Sequence, residues 1–141
     1  MKIVVSPNPY RDKQFKNARQ ACSILREAGA EVALCLPFDV DKTFEIPHDL
    51  RFQDIQKEIK TADMLICFGG DGTILHSSKI ATEHNLPILG VNIGTMGFIA
   101  ELEAGEIELL RKIPKGDYTV EERTMLDVSV GNGRQTPFHE T

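Results

Sequence analysis

Five consecutive apolar residues, Met64-Leu65-Ile66-Cys67-Phe68, run straight into Gly69-Gly70-Asp71-Gly72-Thr73. A wholly apolar run of that length reads as a strand covered on both faces, and such strands belong to parallel sheets held between helical layers. The flanking segments agree. Lys2 to Ser6 is apolar and rich in β-branched residues and stops at Pro7, Glu31 to Leu36 stops at Pro37, and Pro87 to Val91 forms a fourth run. From Gln14 to Ala28, the residues Phe15, Ala18, Cys22 and Leu25 recur at steps of three and four, and Gly29 stands where a glycine closes a helix. Pro47 to Ala62 carries Phe52, Ile55 and Ile59 at helical spacing; Ile74 to His84 predicts another helix and Glu103 to Lys112 a short one. Strands and helices alternating in this way predict an α/β fold with an open, mainly parallel sheet flanked by helices and joined by right-handed crossovers.

The last part reads differently. Tyr118-Thr119-Val120 and Met125 to Val130 look like two strands with no helix between them, followed by the turn Gly131-Asn132-Gly133 and polar residues to Thr141. Two readings stay open: an antiparallel edge added to the sheet, or the opening of a second, β-rich domain. The division expected is an α/β nucleotide-binding domain over 1–122 and the start of a truncated β-rich domain over 123–141.

Composition removes several classes of function. With 141 residues, 41% hydrophobic and 26% charged, the chain has the makeup of a single globular domain and of neither a disordered nor a fibrous protein. It has no apolar run long enough to span a bilayer, and its short apolar start lacks the features of a signal peptide. Sixteen basic against twenty-one acidic residues, a net charge of −5, argue against a nucleic-acid duplex as partner. Cys22, Cys35 and Cys67 lie apart in apolar stretches without metal-site or disulfide spacing, which predicts buried thiols in a reducing, cytoplasmic setting. His48, His84 and His139 share no ligand-like spacing, so no protein metal site is expected. Glu101, Glu103, Glu106 and Glu108 read as the solvated face of the short helix; Arg11, Lys13, Lys16 and Arg19 form a basic cluster that could meet phosphate but reads first as a solvated face.

Chemistry concentrates in the two glycine-rich segments. Gly69, Gly70 and Gly72 permit positive φ and close approach of a ligand, and successive amides at a helix start attract phosphate oxygens. Asp71 is the unexpected residue there: beside phosphate a carboxylate repels unless it takes a proton from a hydroxyl nucleophile or acts through Mg²⁺. The plainer alternative is a tight turn in which Asp71 or Thr73 only caps the helix. Neither GxxxxGK[ST] nor a GxGxxG after the first strand occurs, which argues against a Walker site and a standard dinucleotide site. In the second segment, Leu89 to Ile99, the residues Gly90, Gly94 and Gly97 suggest a path close to a ligand, Asn92 and Thr95 can hydrogen-bond it, and Phe98 can stack on a ring or plug the core.

Gly-Gly-Asp-Gly-Thr is shared by a superfamily of kinases, and Leu89-Gly90-Val91-Asn92-Ile93-Gly94-Thr95-Met96-Gly97-Phe98-Ile99 resembles the form found in NAD kinases rather than the Gly-Thr-Gly-Asn segment of the lipid kinases. Glu121-Glu122-Arg123-Thr124-Met125-Leu126 is similar to the segment leading into the NAD kinase second domain. The resemblance implies a Rossmann-like fold of the NAD kinase and diacylglycerol kinase type. It implies transfer of the γ-phosphoryl group of ATP, or of polyphosphate, to the adenosine-ribose 2′-hydroxyl of NAD, with a divalent metal such as Mg²⁺. Asp71 would be the general base, with Gly72, His76 and Phe98 beside the NAD; Gly69, Gly70, Thr73 and Gly94 would serve the phosphates, with Asn92 and Thr95 on the same side. The paired Asn-Glu or Asn-Asp that opens the NAD kinase second domain does not follow Val130 here. The chain therefore resembles the N-terminal part of such an enzyme, a homo-oligomer when full length. By itself it is expected to fold yet make NADP at a rate near background. Lipid kinase and non-catalytic nucleotide-binding module are the alternatives.

Overall fold

The structure is a computed structural model that describes residues 1–94, 99–122 and 126–129. Parallel strands β1 (Lys2–Pro7), β2 (Glu31–Leu34), β3 (Met64–Gly69) and β4 (Ile88–Asn92) lie side by side with β7 (Leu126–Ser129) and β6 (Thr119–Glu122), in the order β2-β1-β3-β4-β7-β6. The two-residue β5 (Leu102–Glu103) runs parallel to β4. β6 and β7 form an antiparallel hairpin, and β7 meets β4 in parallel at Ile88 and Asp127.

Alternation along the strands sorts the core into two layers, because successive side chains in a strand point to opposite faces. Ile3, Val5, Ile66, Phe68, Leu89 and Val91 pack with α1 (Lys16–Glu27) and the 3₁₀ helix Ala104–Lys112. Val4, Leu65, Cys67 and Ile88 pack on the other face, with Ile55 and Ile59 and with α3 (Asp71–Glu83). All six residues of β3 are buried, as expected for a strand covered on both sides. α1 closes at Gly29, whose φ of +102° lets the amide of Ala30 reach the carbonyl of Leu25.

Four expectations need correction. The helix read over 47–62 shrinks to α2 (Ile55–Glu58) and a 3₁₀ turn, Ile59–Thr61. The carboxylate of Asp54 accepts from the amide of Gln56 and starts the helix there, while Gln53 donates to the carbonyl of Leu34 as an extended residue. The apparent spacing joined residues that serve opposite faces of the sheet: Phe52 packs on the α1 side, Ile55 and Ile59 on the other. α3 starts three residues before the expected Ile74, with extended Gly70 as N-cap (φ −95°, ψ −173°). Gly69, Gly70 and Gly72 therefore do not use positive φ; among the described glycines of the two segments Gly94 does, at +100°. Last, the glutamates are not one solvated face. Glu101 is buried, and Glu103 closes a capping box with Glu106 ahead of the 3₁₀ helix.

Candidate active site

Sheet order places the site. From β1 the chain crosses to β2 on one side and later returns to β3 on the other, so the carboxyl ends of β1 and β3 flank the point where the winding reverses. A crevice opens at such a point in parallel sheets. Asn8 to Arg11 follow β1 there and Gly69 to Asp71 end β3, with Asn92 in register beside Gly69 on β4.

The opening turn of α3 has no side-chain cap, since Gly70 has no side chain to offer, and this 13-residue helix directs the positive end of its dipole into the crevice. A β-carbon on Gly69 would lie 2.7 Å from Cβ of Thr73, so only glycine lets the strand turn into the helix so sharply. A β-carbon on Gly72 would meet nothing within 4 Å. That glycine faces open space.

Asp71 is half-buried at the first helical position, and its Oδ1 accepts a hydrogen bond from the amide of Ile99 at 3.3 Å. This bond ties the first glycine-rich segment to the second. The carbonyl of Gly69 likewise accepts from the amide of Ile93 at 3.2 Å. Thr73 points inward: its hydroxyl accepts from Nδ2 of Asn8 at 2.7 Å, a buried contact between the end of β1 and the start of α3. Asn92 is buried too, and its amide donates to Glu103 at 2.9 Å. His76 lies one turn further along α3, its Nε2 3.1 Å from the carbonyl oxygen of Pro37 and its ring edge-on to Phe38. It borders an open groove of about 1080 Å³ that Phe38, Asp54 and Lys79 also line. Thr95 and Phe98 lie outside the described residues, as does His139.

So the fold brings Gly69, Gly70, Asp71, Gly72 and Gly94 to one mouth, sets His76 on the adjoining groove, and uses Thr73 and Asn92 as internal ties. One residue at the mouth, Asn8, escaped the sequence reading; it carries the link to α3. Arg11, from the basic cluster, is exposed and lies beside Gly70 and Gly94. Their shared signal was position: both directly follow the first strand, at the end where parallel sheets bind ligands.

An uncapped helix start with a carboxylate on its first residue can bind an anion and accept a proton beside it. No cluster of three or more His, Cys, Asp or Glu exists among the described residues, and none of their helices is long and apolar enough to cross a membrane. Residues 2–118 match the model of the ATP-NAD kinase N-terminal domain. An NAD kinase of Bacteroides fragilis is 32% identical over 130 residues, 91% of this chain and 45% of that protein. One from Caldanaerobacter subterraneus subsp. tengcongensis is 35% identical over 130 residues, 92% of this chain and 44% of its own length. An NAD kinase of Natranaerobius thermophilus reaches 45% identity over 83 residues, 58% of this chain and 28% of that one. This chain thus spans less than half the length of these curated relatives. With the strand–glycine–helix crevice and the match over nearly the whole α/β region, the chain belongs to the ATP-NAD kinase family, in its N-terminal domain.

Proposed function

We propose that the protein phosphorylates NAD on the 2′-hydroxyl of its adenosine ribose, with ATP or inorganic polyphosphate as donor. The observation that carries this reading is Asp71, a carboxylate fixed by the amide of Ile99 at an otherwise phosphate-attracting helix start. Asp71 removes the proton of the 2′-hydroxyl, and the oxygen forms a bond to the terminal phosphorus of the donor. The bond from that phosphorus to the bridging oxygen breaks, ADP or the shortened polyphosphate leaves, and Asp71 releases its proton to solvent. Gly69, Gly70 and Gly94 supply backbone at close range for the phosphates, while Gly72, His76 and Phe98 contact NAD.

A divalent cation such as Mg²⁺ keeps several waters and binds largely through substrate phosphates, so it needs no cluster of protein ligands, and none of three or more His, Cys, Asp or Glu exists among the described residues. Such an ion would enter on the donor and neutralise its charge, leaving the Asp71 carboxylate to accept the proton. We further place the protein in the cytoplasm as a homo-oligomer, without nucleic-acid or membrane partners. Three free, buried cysteines fit a reducing compartment. The test is NADP formation by the intact gene product from NAD, ATP and Mg²⁺, with polyphosphate and diacylglycerol in parallel assays. Phosphorylation of NAD supports the reading; phosphorylation of the lipid alone, or of neither, overturns it.

A further inference from the structure

Arg11 is exposed, yet its guanidinium has a definite place. Its Cζ and Nε lie 3.9 Å from where a β-carbon on Gly70 would sit, and its Nη1 lies 3.5 Å from the corresponding point on Gly94. The group thus spans the N-cap of α3 and the left-handed turn after β4. The loop holding it is anchored on both sides. The amide of Asn8 donates to the carbonyl of Phe68, its side chain holds Thr73, and the amide of Arg11 donates back to the carbonyl of Asn8 at 3.2 Å. Just beyond, buried Asp12 accepts from the amides of Asn17 and Ala18 and pins the start of α1.

For a cation this is an unfavourable place. The amino end of a helix repels positive charge, and no carboxylate among the described residues pairs with the Arg11 side chain. By contrast, Arg19 pairs with Asp49 and Arg111 with Glu27 and Glu108. A guanidinium held beside uncapped amides, with no carboxylate partner among the described residues, becomes favourable once an anion joins them, and its planar fork matches two phosphate oxygens.

We infer that Arg11 binds the phosphoanhydride chain of the donor across Gly70 and Gly94. This rests on the phosphoryl-transfer reading above. The donor rather than the pyrophosphate of NAD is assigned because Arg11 lies against the residue preceding the base, where the transferred phosphoryl group must sit. There its charge offsets the repulsion between that group and the Asp71 carboxylate.

The test titrates inorganic tripolyphosphate, ATP and NAD separately into the intact gene product and its Arg11→Gln and Arg11→Lys variants by calorimetry. Loss of a charge-assisted, two-pronged contact is expected to weaken tripolyphosphate and ATP about 10- to 100-fold in Arg11→Gln. Arg11→Lys should fall between, and NAD affinity and the melting temperature should not move. In turnover, KM for ATP rises in the variant while KM for NAD holds. Equal tripolyphosphate affinity in parent and Arg11→Gln, no tripolyphosphate binding by the parent, or a loss confined to NAD would each overturn the inference. A parent that makes no NADP yet binds tripolyphosphate through Arg11 would sink the assigned function and leave this inference standing.

Discussion

Asp71 and Asn8 divide the work at the scale of single residues. Asp71 carries the proposed chemistry and contributes little to the fold: an Asn still accepts from Ile99, and the lost helix-end interaction is worth about 0.3–1 kcal/mol. Asp71→Asn should therefore keep a near-parental melt while turnover drops about 10²- to 10⁴-fold, the usual worth of a general base. Steady-state kinetics on the purified, folded variant decide this, and near-normal turnover would remove Asp71 from the mechanism. Asn8 is the converse. Its side chain both donates to Thr73 and accepts from the amide of Tyr10, and the Thr73 contact is buried. Asn8→Ala leaves those groups unsatisfied, with an expected cost of about 1–3 kcal/mol. A urea midpoint unchanged from the parent would mean that the tie between β1 and α3 is not made in solution.

The junction from β3 to α3 shows how glycines that look equivalent in sequence differ once the element is built. Gly69 is pressed by the Cβ of Thr73, a helix-borne atom that cannot swing aside, so Gly69→Ala must push the first turn of α3 out of place. Overpacking of that kind costs about 1–3 kcal/mol. Gly72 lies in the helix with open space where its β-carbon would go, so Gly72→Ala should leave stability unchanged or raise it by up to about 1 kcal/mol through helix propensity. Equilibrium denaturation of the two variants should thus give opposite signs. Losses of equal size would show that the turn depends on backbone freedom at both positions. Both glycines were legible as part of a strand-to-helix turn, but the positive φ proposed for them occurs at neither; among the described glycines of the two segments it occurs at Gly94.

Across the whole molecule, burial makes the thiols quiet. Burial pushes Cys22 up to about 11 despite the nearby charge of Arg26, and pushes Cys35 up to about 12 with Glu58 and Asp54 adding to it. The folded protein should resist thiol reagents at neutral pH and react on unfolding. The same shifts set a pH dependence. Between the ordinary thiol value of 9.0 and these raised values, the unfolded chain has lost protons that the folded one keeps, so stability falls as pH rises through that window. The slope approaches about 1.4 kcal/mol per pH unit for each thiol. Urea midpoints from neutral pH to above 9 should decline for the parent and decline less for Cys22→Ala combined with Cys35→Ala; parallel curves would refute the assignment.

Local pattern alone determined the four parallel strands, the α1 helix with its Gly29 close, and the two glycine-rich segments at the strand ends. Those features depend on short-range causes: apolar runs, helical spacing and turn chemistry that neighbouring residues decide among themselves. Tertiary structure decided the rest. Phe52 and Ile55 separate onto opposite faces only once the sheet exists, and Glu101 is buried because its amide joins the carbonyl of Gly90 beside β4. Arg11 reads as one more charge in a basic run until the order β2-β1-β3 brings the end of β1 against Gly70 and Gly94. Residues 59 and 83 positions apart along the chain meet there because parallel strands align all their carboxyl ends on one edge, a register that no local window of sequence contains.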